Sequence, residues 1–219
     1  MATRLDTLKE ARIEKLKKLE ELGINPFPSV TKRTHSIQGA LEQEGNEVSV
    51  AGRIVRWREH GNIVFADLKD ESAEIQLFLQ QKNLEKNFEL LKLLDLGDFV
   101  SATGEVIKTS SGETSVDTKE ITLLSKALRP MPSDWAGLKD IEERYRRRYL
   151  DLILNPEVKK RFDTRTKLVR EIRRFLDGLG YMEVETPTLQ PLYGGANAKP
   201  FKTHLNALDV DMYLRIADE

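Results

Sequence analysis

Along residues 3–22 the apolar positions Leu5, Leu8, Ala11, Leu16, Leu19 and Leu22 recur at three- and four-residue multiples among lysines and glutamates. That spacing predicts an exposed amphipathic helix that packs one stripe on the body of the protein. Gly23 is its expected C-terminal cap, and Asn25-Pro26-Phe27-Pro28 enforces an extended exit. From residue 47 the period shortens to two. Runs rich in Val, Ile, Phe and Thr predict strands at 48–58, 62–68 and 73–80, then a helix over 83–94, then strands at 98–108 and 114–124. Turns are expected at His60-Gly61-Asn62, Lys69-Asp70-Glu71-Ser72, Leu96-Gly97-Asp98 and Ser110-Ser111-Gly112.

Five predicted strands with one helix between the third and fourth is the order of an OB barrel, although other small barrels share it. OB barrels bind oligonucleotides across strands two and three and the adjoining loops. Residues 126–143 contain Pro130 and Pro132 and break both periods, which puts a domain boundary there. A helix is then expected from near Ile141, interrupted at Asn155-Pro156 and running to about Gly178, with Val158, Phe162, Leu168, Val169, Ile172, Phe175 and Leu176 as its apolar stripe. Gly180 closes it; Tyr181-Met182-Glu183-Val184-Glu185 alternates like a strand and stops at Thr186-Pro187. The tail holds Gly194-Gly195 and a last strand-like stretch from Asp211 to Ile216. The resulting α+β organisation is a helical extension (1–45), a barrel (46–128), a linker (129–143) and a second domain from 144 to 219.

Composition narrows the chemistry. In 219 residues there is no cysteine, which excludes disulfides, thiolate metal sites and a cysteine nucleophile. No apolar run approaches the ~18 residues that span a bilayer, and Met1-Ala2-Thr3-Arg4-Leu5-Asp6 offers no signal-peptide core, so the expected location is the cytoplasm. His35, His60 and His204 stand at no metal-ligand spacing, and neither a phosphate-binding glycine loop nor a Ser/His/Asp arrangement can be argued. The net charge of −1 hides segregation: residues 144–174 carry twelve Lys/Arg against four acids, whereas 46–128 carry ten against fourteen. Patches of this kind decide partners more than the total does.

A barrel that reads nucleic acid needs a flat ring for a base to stack on and an amide or carboxylate for a base edge. Phe65 in the second strand and Gln76 in the third share a face if the two strands pair about their turn, and Glu113 follows the turn before the fifth strand, at the rim. On the residues alone Phe65 is core or platform. Arg53, Arg56 and Arg58 form a basic strip on the first strand, and Lys15, Lys17 and Lys18 give the N-terminal helix a phosphate-contacting alternative to simple packing.

Seven ordered stretches carry a resemblance: 23–28 (GINPFP), 50–53 (VAGR), 126–130 (KALRP), 144–152 (RYRRRYLDL), 180–187 (GYMEVETP), 194–201 (GGA with KPF) and 206–217 (NAL leading to MYLRIA). Together they resemble the lysyl-tRNA synthetases, class II aminoacyl-tRNA synthetases of the aspartyl/asparaginyl/lysyl subgroup, over essentially the whole chain. The resemblance implies an anticodon-binding OB barrel followed by the start of a class II antiparallel-sheet catalytic domain. It implies that Phe65 stacks on the central anticodon base while Gln76 and Glu113 hydrogen-bond it, with Arg53 and Arg58 beside them. Residues 159–187 resemble motif 1, which builds a twofold homodimer, with Arg170, Gly180 and Pro187 at the expected interface. Gly195 and Glu219 correspond to lysine-binding positions. Asp218 and Leu205 depart from the pattern, standing where Pro or Thr and a second His are common.

The activity implied is ATP-dependent formation of lysyl-adenylate and transfer of lysine to the 3′ end of lysine tRNA. The expected partners are lysine tRNA through its anticodon stem-loop, lysine, ATP and a second copy of the chain, with no membrane. ATP and Mg2+ are expected to serve the longer enzyme, since motif 2 is expected to begin shortly after Glu219. No catalytic residue, metal ligand or cofactor site is therefore expected within these residues, and the chain alone is expected to be inactive. Two other readings stay open: a stand-alone tRNA-binding or regulatory module, and the same part of an aspartyl- or asparaginyl-type synthetase.

Overall fold

The computed structural model describes residues 4–84, 88–132 and 138–218. Two compact units divide the chain, Met1–Ser133 and Asp134–Glu219. The first opens with helix α1 (Arg4–Glu21). Gly23 ends it at φ +71°, with Ile24 N–H donating to Leu19 O and Gly23 N–H to Glu20 O, a cap that only a left-handed residue closes without strain. The packed face differs from the leucine stripe. Leu5, Leu8 and Leu22 are exposed, and the buried residues of α1 are Arg12 and Leu19, two turns apart. Arg12 sets this face because its guanidinium finds three main-chain carbonyls inside the body, as described below.

After the turn-sized helix α2 (Ile37–Ala40), strands β1 (Glu47–His60), β2 (Ile63–Lys69) and β3 (Glu74–Gln80) form a meander. Short helices α3 (Gln81–Leu84) and α4 (Phe88–Leu91) follow, so the helix expected over 83–94 ends three residues early, and its residues 85–87 lie outside the described ones. Leu84, Leu90, Leu91 and Leu94 are buried here. Strands β4 (Phe99–Lys108) and β5 (Thr114–Ser125) complete a closed barrel in the order β1-β2-β3-β5-β4, with β4 returning to β1. All pairings are antiparallel except β3 with β5. This is the five-stranded OB barrel the strand order predicted.

Alternation places Val48, Val50, Ile54, Val64, Ala66, Leu68, Ile75, Leu77, Leu79, Val100, Ala102, Val106, Val116, Ile121 and Leu123 inside, in one continuous core. Closure demands close backbone approach. A methyl group at Gly104 would lie 2.1 Å from the Asp117 carbonyl oxygen, and one at Gly52 would lie 2.6 Å from that of Lys69.

Beside the core a buried charge cluster binds α1 to the barrel. Lys126, immediately after β5, has a fully buried side chain whose Nζ donates to Asp98 at 2.8 Å and to Asp95. The Asp98 carboxylate, also fully buried, accepts from the backbone N–H of Ala127 (2.7 Å) and of Asp95 (2.8 Å). From α1, Lys15 pairs with Asp95 at 2.8 Å, and Arg12 donates to the carbonyls of Ala127 (2.8 Å), Arg129 (3.0 Å) and Leu96 (3.0 Å). Burial pushes the Asp95 carboxyl up, but the bonds and charges of Lys126 and Lys15 outweigh it and hold it below the usual carboxylate range.

The second unit comprises α5 (Ile141–Arg146), α6 (Arg148–Leu154), α7 (Pro156–Gly178) and a small sheet of β6 (Leu189–Gln190), β7 (Lys202–Leu205) and β8 (Val210–Leu214) in the order β6-β8-β7. The helix expected from Ile141 to Pro156 is thus two short helices that break at Arg147, whose φ of −119° and ψ of 52° leave the helical region. Pro156 takes the first turn of α7, where its missing N–H costs nothing. The fully buried Asp151 ties α5 and α6 to Asn155 by accepting from Arg144, Arg148 and Asn155. Its burial favours the neutral acid, yet these donors prevail and keep its carboxyl below the ordinary value. Residues 181–185 form no strand, contrary to their alternation. A strand requires a ladder as well as two faces, and among the described residues no strand pairs with them.

Candidate nucleic-acid interface

The register of the barrel gathers several of the expected residues on one outward face. Phe65 on β2 sits opposite Phe78 on β3 and Arg58 on β1; two residues along, Asp67 sits opposite Gln76 and Arg56. Gln76 is in turn opposite Ser115 on the parallel strand β5. Since outward residues recur every second position, these strands carry two adjacent rows: Arg58, Phe65 and Phe78, then Arg56, Asp67, Gln76 and Ser115.

The first row supplies aromatic surface. The half-buried rings of Phe65 and Phe78 stack with centroids 5.2 Å apart and planes 21° from parallel, while His60 meets Phe65 edge-on at 6.3 Å. The second row is polar and, beneath its outer side chains, buried. Gln76 is only 6% exposed, yet every polar atom of its amide is used: Oε1 accepts from Ser115 Oγ at 2.9 Å, and Nε2 donates to Glu113 at 3.0 Å. Glu113 is exposed at the rim and reaches the face through that bond. Gln76 therefore orients Glu113 in the free protein; the carboxylate, which only accepts, takes the amide N–H, and Oε1 is left to the Ser115 hydroxyl.

Asp67 is 4% exposed and lies between two arginines, accepting from Arg56 and from Arg58 at 3.2 Å each. Both guanidiniums keep about half their side-chain surface open (55% and 49%). Arg53 is placed differently from Arg58. Its guanidinium lies 4.3 Å from the Phe99 ring centroid and donates to Gly97 O at 3.3 Å, so it is committed toward β4, and burial lowers its pKa. Lys15, one of the three lysines with a phosphate-contacting alternative on α1, is likewise held by Asp95.

Of the residues expected from the sequence, Phe65, Gln76, Glu113 and Arg58 are brought together, and the register adds Phe78, Asp67 and Ser115, which the sequence reading did not single out. Each of these occupies an outward period-two position, so the signal existed; what was lacking was the register that makes them neighbours.

The second unit holds the remaining expected positions. Arg170 is exposed on α7, Gly180 closes that helix at φ +83°, and Pro187 is exposed beyond it. Phe162, Leu168, Val169, Ile172, Phe175 and Leu176 are between 40% and 66% exposed, and of the expected stripe only Val158 is buried. Gly195 adopts φ +83° in the loop before β7, where side chains are penalised. Asp218 pairs with Arg215 at 3.1 Å, Leu205 pairs with Val210 across β7 and β8, and Glu219 lies outside the described residues. Among the described residues no group of three His, Asp or Glu side chains is arranged to hold a metal ion, and no helix is long and apolar enough to cross a membrane.

The first unit is thus a closed five-stranded barrel with an aromatic and arginine face, and a helical and antiparallel-strand unit follows it along the chain. Residues 48–124 match the OB-fold nucleic acid binding domain, and residues 140–219 match the tRNA synthetases of class II (D, K and N). The chain is similar to lysine-tRNA ligases. It is 50% identical over 217 residues to lysine-tRNA ligase of Moorella thermoacetica and 48% identical over 220 residues to that of Syntrophomonas wolfei, covering 97% and 98% of this chain. A third, from Clostridium perfringens, is 50% identical over 214 residues. The chain spans 44%, 45% and 43% of the length of these relatives.

Proposed function

We propose that this chain is the anticodon-reading part of a lysine-tRNA ligase. The observation that carries the reading is the outward face of β1, β2 and β3, where Phe65 stands half-open between Arg58, Phe78 and the Gln76–Glu113 pair. A splayed base stacks on the Phe65 ring, and Glu113, oriented by Gln76, accepts from a base-edge N–H. Reading bases this way calls for few cations, in keeping with the acidic balance of residues 46–128.

In the longer enzyme this recognition serves ATP- and Mg2+-dependent activation of lysine in the cytoplasm, with transfer to the tRNA 3′ end. The chemistry proposed for the barrel face is recognition. Gly195 and Glu219 belong to the lysine pocket, and the exposed apolar face of α7, with Arg170, Gly180 and Pro187, to a twofold homodimer seam.

The test is binding of a lysine tRNA anticodon stem-loop to the full chain. Phe65→Ala should weaken it by about 1–3 kcal/mol, the usual worth of one base–aromatic stack. Equal affinity of the variant and the parent would remove Phe65, and with it the reading face, from the proposal.

A further inference from the structure

The carboxylate of Asp67 is in an unusual position for a stabilising group. It is buried on the outward side of the sheet, and its side-chain partners among the described residues are two half-exposed arginines. Half-exposed ion pairs contribute little to stability, while burying the carboxylate carries a desolvation cost. The arrangement does have a geometric effect. Arg56 and Arg58 are two residues apart on one strand, so their like charges emerge from the same face about 7 Å apart and would repel one another. Asp67 takes one N–H from each, with one carboxylate oxygen for each guanidinium. Each guanidinium fork then keeps most of its five donors for an outside partner. Glu74 also lies 4.0 Å from Arg56, so what Asp67 supplies is the placement of the two guanidiniums rather than a surplus of charge, and Arg58 is the cross-strand neighbour of Phe65.

Resting on the anticodon-reading proposal, we infer that Asp67 is a positioning residue: it holds Arg56 and Arg58 as a two-guanidinium clamp for the RNA phosphodiester beside the base stacked on Phe65. Planar forked donors suit a phosphate, and pinning them in advance removes the ordering cost when RNA arrives.

The sign of one substitution separates this from general electrostatics. Asp67→Asn removes a negative charge next to a polyanion. If only net charge mattered, the variant would bind a lysine tRNA anticodon stem-loop more tightly. A positioning role requires the reverse: affinity about tenfold weaker, the order of one charge-assisted hydrogen bond. The dependence of log affinity on log salt should become shallower by about 0.7 for each phosphate that the protein no longer neutralises. In an Arg56→Ala/Arg58→Ala background Asp67→Asn should weaken binding no further.

Phe65→Ala is measured in parallel. Should Phe65→Ala weaken binding while Asp67→Asn leaves it unchanged or tightens it, the positioning inference is overturned and the reading face survives. Should neither change binding, the reading face fails and the inference with it. An Asp67→Asn loss that persists without the two arginines also overturns the inference. Circular dichroism and the melting temperature establish that Asp67→Asn is folded. If it is not, Arg58→Lys, which keeps the charge and loses the fork, must itself weaken binding and flatten the salt dependence, and an unchanged Arg58→Lys overturns the clamp.

Discussion

Replacing Lys126 with methionine tests the buried charge cluster most directly. The side chain is fully buried, and its ammonium group is bonded to Asp98 at 2.8 Å and to Asp95. Methionine fills a similar volume, so the loss is electrostatic rather than a cavity. Asp95 retains Lys15, but Asp98, fully buried, loses its only charged partner among the described residues. Removing one member of a buried pair costs about 3–5 kcal/mol. The two backbone N–H groups still bonded to Asp98 put the value near the lower end, about 3 kcal/mol. Removing the stranded charge as well, in Lys126→Met/Asp98→Asn, should recover about 1–2 kcal/mol of that loss. The assay is urea unfolding followed by Trp57 fluorescence on β1, in a Trp135→Phe background so that one tryptophan reports the barrel. A single-variant loss below about 1 kcal/mol, or a double variant no better than the single, would refute the reasoning.

Acid should unfold the barrel partly through Asp95. Its carboxyl is held below the ordinary value in the folded state, so its contribution to stability is complete above the unfolded pKa, near 3.8, and is lost as pH falls through the lower folded one. Asp95→Asn should therefore be less stable near neutrality and show a flatter acid limb of melting temperature against pH; an identical limb would contradict the assignment. Gly104→Ala forces a methyl group to 2.1 Å from the Asp117 carbonyl oxygen and should destabilise by about 2 kcal/mol or more, read from the same urea transition. On the proposed homodimer seam, Ile172→Glu with Phe175→Glu should shift sedimentation of a dimeric parent to the monomer mass, whereas an unshifted dimer places the seam elsewhere.

The barrel was legible because alternation, β-branched runs and glycine turns agree over residues 47–125. Its strands also find all their partners locally in that stretch. Residues 181–185 alternate just as well and yet form no strand, because periodicity encodes two faces and not a ladder partner. The same limit operated on α1. Its leucine spacing is real, but Leu5 and Leu8 face solvent, while the charged Arg12 is inside because three carbonyls far along the chain await it. At the candidate site turn and spacing made the shared face of Phe65 and Gln76 legible, while their role was implied by the resemblance alone. Asp67 and Ser115 were not legible, since an acid or a hydroxyl on an outward position reads as ordinary surface until the cross-strand register seats it beneath an arginine or an amide.

The anchorage of α1 also imposes an order of assembly. Residues 4–21 are made before the groups that seat them, which belong to 95–98, just ahead of β4, and to 126–129, directly after β5. Until β5 has joined the distant edges offered by β3 and β4, the helix lacks the carbonyls of Ala127 and Arg129. Such long-range pairings form late because loop-closure entropy must be met before they return any energy. A segment made early is thus fastened late, and release of α1 would report the opening of the barrel at its final seam.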